Sequence, residues 1–172
     1  MTTTRYDRRM YQVMNDRRAA RFHATAGRRR AVVAAHVALT AVGVGAWIAT
    51  VFGPWFWPAA VIAVVLLPWV LLTGLLNGST RGLLELRGRM LDERQLIERD
   101  RVRALSHRAT LWLLIAAAIG AVAYGTLTDE PLRAEVAPVL SGVLAVHWIM
   151  PLWVAGLRVQ DDLRDDDVDA EA

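Results

Sequence analysis

Four hydrophobic runs alternate with polar segments along this chain, at about 31–52, 55–76, 110–127 and 137–157. Residues 31–76, 110–128 and 136–157 contain no Asp, Glu, Lys or Arg. A helix of about 22 residues rises about 33 Å, enough for a hydrocarbon core of about 30 Å. Each run therefore predicts a transmembrane helix. Between the first two runs stands only Phe52-Gly53-Pro54, so the second span must return antiparallel to the first. Pro68 and Pro151 fall inside the second and fourth spans and are expected to kink them. Trp47, Phe52, Trp55, Phe56 and Trp57 gather around the first turn, where aromatic rings favour the membrane–water interface.

The polar segments complete the architecture. Asn77-Gly78-Ser79-Thr80 interrupts the second run and offers an N-cap at Ser79 or Thr80. A charged helix over about 80–109 is expected to follow. With no proline from Leu83 to Leu127, it either runs on into the third span or breaks near Ser106-His107. Thr128-Asp129-Glu130-Pro131 closes that span. The expected fold is all-α and polytopic: four transmembrane helices as two antiparallel hairpins joined by a cytoplasmic charged helix. Residues 1–30 form a basic N-terminal segment, 31–157 the membrane domain, and 158–172 an acidic tail whose composition predicts disorder.

Charge orients this arrangement. Residues 1–30 carry nine Arg against two Asp, and residues 77–109 carry eight Arg against five acids. Residues 128–135 carry one Arg against three acids. The positive-inside rule places both termini in the cytoplasm of a multi-pass plasma-membrane protein. The first run is too long for a signal-peptide core, and no small-residue cleavage site follows it. At the N-terminus Tyr6, Met10, Val13 and Met14 stand at helical spacing. The Arg-rich segment reads as a topology signal or as a short interfacial helix on anionic lipid. Nucleic acid is not an expected partner, because no recognition motif accompanies the charge. Cysteine is absent, which removes disulfides, thiolate metal sites and a Cys nucleophile.

Candidate chemistry is sparse. His36 and His147 lie inside spans, and intramembrane ionisable groups are functional candidates. His36, Thr40, Gly43, Trp47 and Thr50 form one polar-to-small stripe that should face the bundle. At His147 two guides conflict: Gly142 and Ala145, small residues of the kind that mark packed faces, lie opposite the histidine. A shared haem is disfavoured, since His36 lies about 7–9 Å and His147 about 15 Å from the cytoplasmic end. No cofactor is expected. On the third span Ala116, Gly120 and Ala123 suggest close helix packing.

The segment from Leu83 to Arg108 holds Asp92-Glu93-Arg94-Gln95, but adjacent carboxylates on a helix diverge by about 100° and cannot share a catalytic site. Glu85/Arg89, Glu98/Arg101 and Asp100/Arg103 have the spacing of helix-supporting pairs. Leu83, Leu86, Met90, Ile97 and Ala104 form a broken apolar stripe. Leu91-Asp92-Glu93-Arg94-Gln95, followed by Arg99-Asp100-Arg101 and Arg108, resembles the LDERQ…RDR segment of uncharacterised four-helix membrane proteins of actinobacteria. The resemblance covers about 18 residues and the overall layout, and implies the architecture without an activity. The expected function is a non-enzymatic scaffold or regulatory membrane partner. The surface of residues 91–95 and 99–101 would meet a cytoplasmic protein or a second copy, and the basic face would meet anionic lipid. The alternative is a small transporter or proton-linked carrier using His36 and His147. An enzyme ranks last, since only exposed charges and isolated histidines are available to it.

Overall fold

A computed structural model describes residues 4–14, 25–128 and 133–158. They form α1 (Arg5–Met14), α2 (Ala26–Phe52), α3 (Trp57–Ser79), a 3₁₀ turn at Gly88–Met90, α4 (Glu93–Thr128) and α5 (Arg133–Arg158). The described part of the chain is all-helical, and α2 to α5 are each long and apolar enough to cross a membrane. Only 6% of the apolar windows of α3 and α4 is buried within the molecule. Val64, Leu67, Trp112, Ile119, Leu144 and Trp148 all project outward, a surface that suits lipid and not water. The acidic tail and the 129–132 loop lie outside the described residues.

Helix ends follow local chemistry. Thr25 caps α2 by accepting the Arg28 amide, and the chain leaves α2 through Gly53. Pro58 stands in the first turn of α3, where its missing N–H costs nothing. The Ser79 and Thr80 hydroxyls do not start a helix. They turn back to the carbonyls of Leu76 and Asn77, at 2.7 and 3.0 Å, and close the end of α3. Arg81 and Gly82 then take the left-handed conformation, with φ of 51° and 72°.

The charged helix expected over 80–109 therefore begins only at Glu93, and residues 80–92 are turns and one 3₁₀ segment. Its start is set by Asp92 and Gln95. The Gln95 amide donates to Asp92 Oδ1 at 2.7 Å and the Asp92 amide donates to Gln95 Oε1 at 3.0 Å, a reciprocal capping box. From there α4 runs 36 residues without interruption, about 54 Å, so Ser106 and His107 mark no break. Glu98–Arg101 is the expected intrahelical pair that forms, at 3.6 Å. Arg89 instead pairs with Asp7, because residues 85–89 form no α-helix that would bring Glu85 and Arg89 together.

α2 packs against α3 and α5, and α4 packs against α5. The tight core sits at one end of the bundle, where Val33, Leu76, Ile149, Leu152 and Trp153 meet. Leu83 and Val102 join Ala155 just beyond it, so the 80–92 loop closes that end. Gly156 lets α5 approach here: a Cβ would stand 3.1 Å from Val33 Cγ2 and 3.3 Å from Leu76 Cδ2. At the other end Trp55, Phe56 and Trp57 are exposed.

Candidate functional site

His36 is wholly buried, one turn before the buried Thr40 on α2. The indole N–H of Trp153 on α5 donates to His36 Nδ1 at 2.8 Å. An indole N–H can only donate, so Nδ1 is the accepting nitrogen and the proton of this neutral imidazole sits on Nε2. Nε2 lies 2.9 Å from Thr73 Oγ1 on α3 and donates to it. The Thr73 hydroxyl donates in turn to the Trp69 carbonyl at 2.8 Å.

The return path is the mirror of this one. Trp69 Nε1 donates to Thr40 Oγ1 at 2.9 Å, and the Thr40 hydroxyl donates to the His36 carbonyl at 2.8 Å. On each of α2 and α3 a ring N–H thus reaches the threonine one turn beyond the other ring. The rings also pack: His36 lies 5.0 Å from the Trp69 ring and 6.0 Å from the Trp153 ring, the latter edge-on. Both histidine nitrogens are spent on three helices, which makes His36 a clasp and leaves no lone pair for a metal or a substrate. Among the described residues no three His, Asp or Glu side chains cluster to hold a metal ion.

His147 is exposed on α5 and takes no part in the clasp. Gly142 decides that helix: it is buried, and a Cβ on it would stand 2.9 Å from Val44 Cγ1, whereas Ala145 is exposed. Beside the clasp, α2, α3 and α5 enclose a mostly apolar groove of about 350 Å³ lined by Thr40, Gly43, Trp47, Val65, Trp69 and Ser141 among others. The outer half of the histidine stripe opens onto it, with Trp47 43% exposed. Trp69, Thr73 and Trp153 were not singled out by sequence. The available signal was the ring-x-x-x-Thr spacing of His36/Thr40, repeated at Trp69/Thr73 in the next span.

The residues of the charged segment divide by role. Leu91 is buried as a loop anchor together with Leu83 and Leu86. The apolar stripe inferred for a continuous helix thus splits between this anchored loop and α4. Asp92 and Gln95 are consumed by the capping box. Arg99 is half-buried, its guanidinium beside Gly88. Glu93, Arg94, Asp100 and Arg101 are exposed, and Ile97 among them is 56% exposed.

A second polar centre ties α1 to the 80–92 loop. Thr4 caps α1, its amide and hydroxyl both donating to Asp7 Oδ2 at 2.8 Å, and the Asp7 amide donating to Thr4 Oγ1 at 3.2 Å. Arg89 donates to the same carboxylate, and Arg87 stands 3.7 Å from its other oxygen and 5.8 Å above the Tyr6 ring. Met14 lies over Gly82, where a Cβ would come within 2.9 Å of its side chain. The short amphipathic helix read from Tyr6, Met10 and Met14 is thus docked on the protein's own loop. The Thr4 amide, then the Thr4 hydroxyl and Arg89, hold the Asp7 carboxyl at about 2 against the usual 3.8, and desolvation opposes them.

A carboxylate with a depressed folded pKa contributes stability above its unfolded value and loses it as pH falls through the folded one. Protection of the α1 amides, normalised for intrinsic exchange, is therefore expected to be flat down to about pH 4 and to fall between about 4 and 2. Hydrogen exchange with mass spectrometry checks this. Asp7→Asn should lower protection at neutral pH and flatten the profile.

Among the described residues, fold and site together define an all-helical bundle with four membrane-length helices, clasped at one end by a buried histidine. Comparison with known protein families, curated proteins and solved structures finds no match for the chain.

Proposed function

We propose that this chain is a multi-pass plasma-membrane scaffold or regulatory partner, non-enzymatic, whose α4 extension is the surface that meets another protein or a second copy. One observation carries the reading: α4 continues its apolar segment as a single rigid helix through Glu93–Arg108, with Arg94, Ile97 and Arg101 facing outward. Charged side chains on such an extension set partner choice more than affinity.

In this reading α2/α3 and α4/α5 are two antiparallel hairpins, and both termini are cytoplasmic. Support comes from the crossed pairing of His36 with Thr73 and of Thr40 with Trp69, the register of helices running in opposite directions. It comes also from the short 53–56 connection and from the 17 Arg carried by residues 1–30 and 77–109. The resemblance at Leu91–Arg101 agrees with the layout. Exposed Arg5, Arg8 and Arg9 on the outer face of docked α1 suit anionic lipid headgroups. A carrier built on His36 and His147 gains no support, because His36 is spent in the clasp and His147 faces outward.

The test is crosslinking with mass spectrometry in native membranes. Wild-type chain should yield crosslinks from the Glu93–Arg101 face to a partner or to itself. Alanine at Glu93, Arg94, Ile97, Asp100 and Arg101 should remove them while membrane insertion and thermal stability persist. Crosslinks that survive the substitutions would defeat the proposal. Deleting residues 83–105 is a poorer test, since it removes the buried Leu83 and Val102.

A further inference from the structure

Arg94, Arg101 and Arg108 recur every seven residues on the exposed face of α4, with Ile97 and Ala104 between them. Arg101 is 60% exposed at its side chain and has one long contact, 3.6 Å to Glu98. Arg94 and Arg108 have no ion-pair partner among the described residues. The nearest carboxylate along the stripe, Glu98, is taken by Arg158 Nε at 2.7 Å. Glu93 and Asp100 lie to one side, about a quarter-turn from the stripe. The result is a row of under-neutralised guanidinium groups about 21 Å long.

The Glu98–Arg158 bridge also ties the last described turn of α5 to α4. Arg158 is the last described residue, and it pairs with Glu98, which stands four residues from Arg94 and three from Arg101 along α4. Fourteen residues follow, with seven carboxylates against the single Arg164. Fully extended, they reach up to about 46–50 Å, more than twice the length of the stripe.

We propose that the acidic segment 159–172 lies in cis on the Arg94/Arg101/Arg108 stripe and shields the α4 surface from other anionic ligands. Tethering makes weak contacts sufficient, because a short linker presents its end at an effective concentration in the millimolar range. No folding of the segment is required: Asp165, Asp166 and Asp167 supply charge in any register. The inference concerns the same surface as the proposed function, as its regulation, but it needs no partner to exist.

The chain has no cysteine, so Ala104→Cys and Ala170→Cys place the only two thiols. The full-length double variant would be reconstituted at one chain per nanodisc in zwitterionic lipid, and its initial rate of intramolecular disulfide formation measured. Arg94→Gln/Arg101→Gln/Arg108→Gln, and separately Asp165→Asn/Asp166→Asn/Asp167→Asn, should each slow it about fivefold, the combined effect of several weak exposed pairs. Salt at about 1 M, where the Debye length is about 3 Å, should do the same to the parent. Rates unchanged in both variants and in salt would overturn the proposal. So would a rate that depends on the arginines only in anionic nanodiscs, which would assign the stripe to lipid headgroups. The tail variant leaves every described residue intact and keeps the test valid if the arginine variant misfolds.

Discussion

His36→Ala is expected to lower the unfolding free energy by about 2–4 kcal/mol. Two bonds to other helices disappear, to Trp153 and to Thr73. Hydrogen bonds between membrane helices average only about 0.6 kcal/mol and reach about 1.7, so they account for the smaller part. The rest is the void left by a side chain that is wholly buried, and the Trp153 N–H stranded in apolar surroundings.

The donor pattern makes a graded series. His36→Asn keeps an acceptor near the Nδ1 position and should lose about 1–2 kcal/mol, and Trp153→Phe about 0.5–1.5. His147→Ala should stay within about 0.5 kcal/mol, as expected of an exposed side chain. Reversible unfolding in mixed micelles measures all four. Equal losses at the two histidines would show that the clasp is not what stabilises the bundle.

Gly142→Leu is the second large effect, with an expected loss of about 1–3 kcal/mol from overpacking. A Cβ at this position would meet Val44 Cγ1 at 2.9 Å, so α2 and α5 must separate. The same two helices carry the Trp153–His36 bond further along. Val44→Ala placed with Gly142→Leu should recover about half of the loss, because the two changes share one contact and cannot be additive. Thermal unfolding of the single and double variants decides it. Full additivity would place Gly142 away from α2.

The balance of information differs along the chain. At His147 the sequence offered two rules that disagreed, one sending a histidine inward and one sending small residues inward. The structure follows Gly142, which packs against Val44 and leaves His147 outside. Helix approach is set by the backbone distance that glycine allows. At Ser79 and Thr80 the same hydroxyls that suit an N-cap serve as well to close the end of α3. Local propensity does not choose between the two, and the left-handed Arg81–Gly82 pair does. Asp92 and Gln95 stand at capping-box spacing, but the same residues fit equally well inside a helix begun at Ser79 or Thr80, so spacing alone does not place the start of α4.

The sequence by itself determined the four long apolar helices, since runs of about 20 uncharged residues have no other stable form in a bilayer. It also determined the asymmetry of charge between the polar segments, which is a property of composition alone. Only the tertiary structure decided which polar groups meet: His36 with Thr73 and Trp153, and Asp7 with Arg87 and Arg89. It likewise decided that Arg158 of α5 meets Glu98 of α4. These partners lie 37 to 117 residues apart in sequence, and their pairing depends on helix register and rotation, which periodicity constrains only to a face and not to a neighbour.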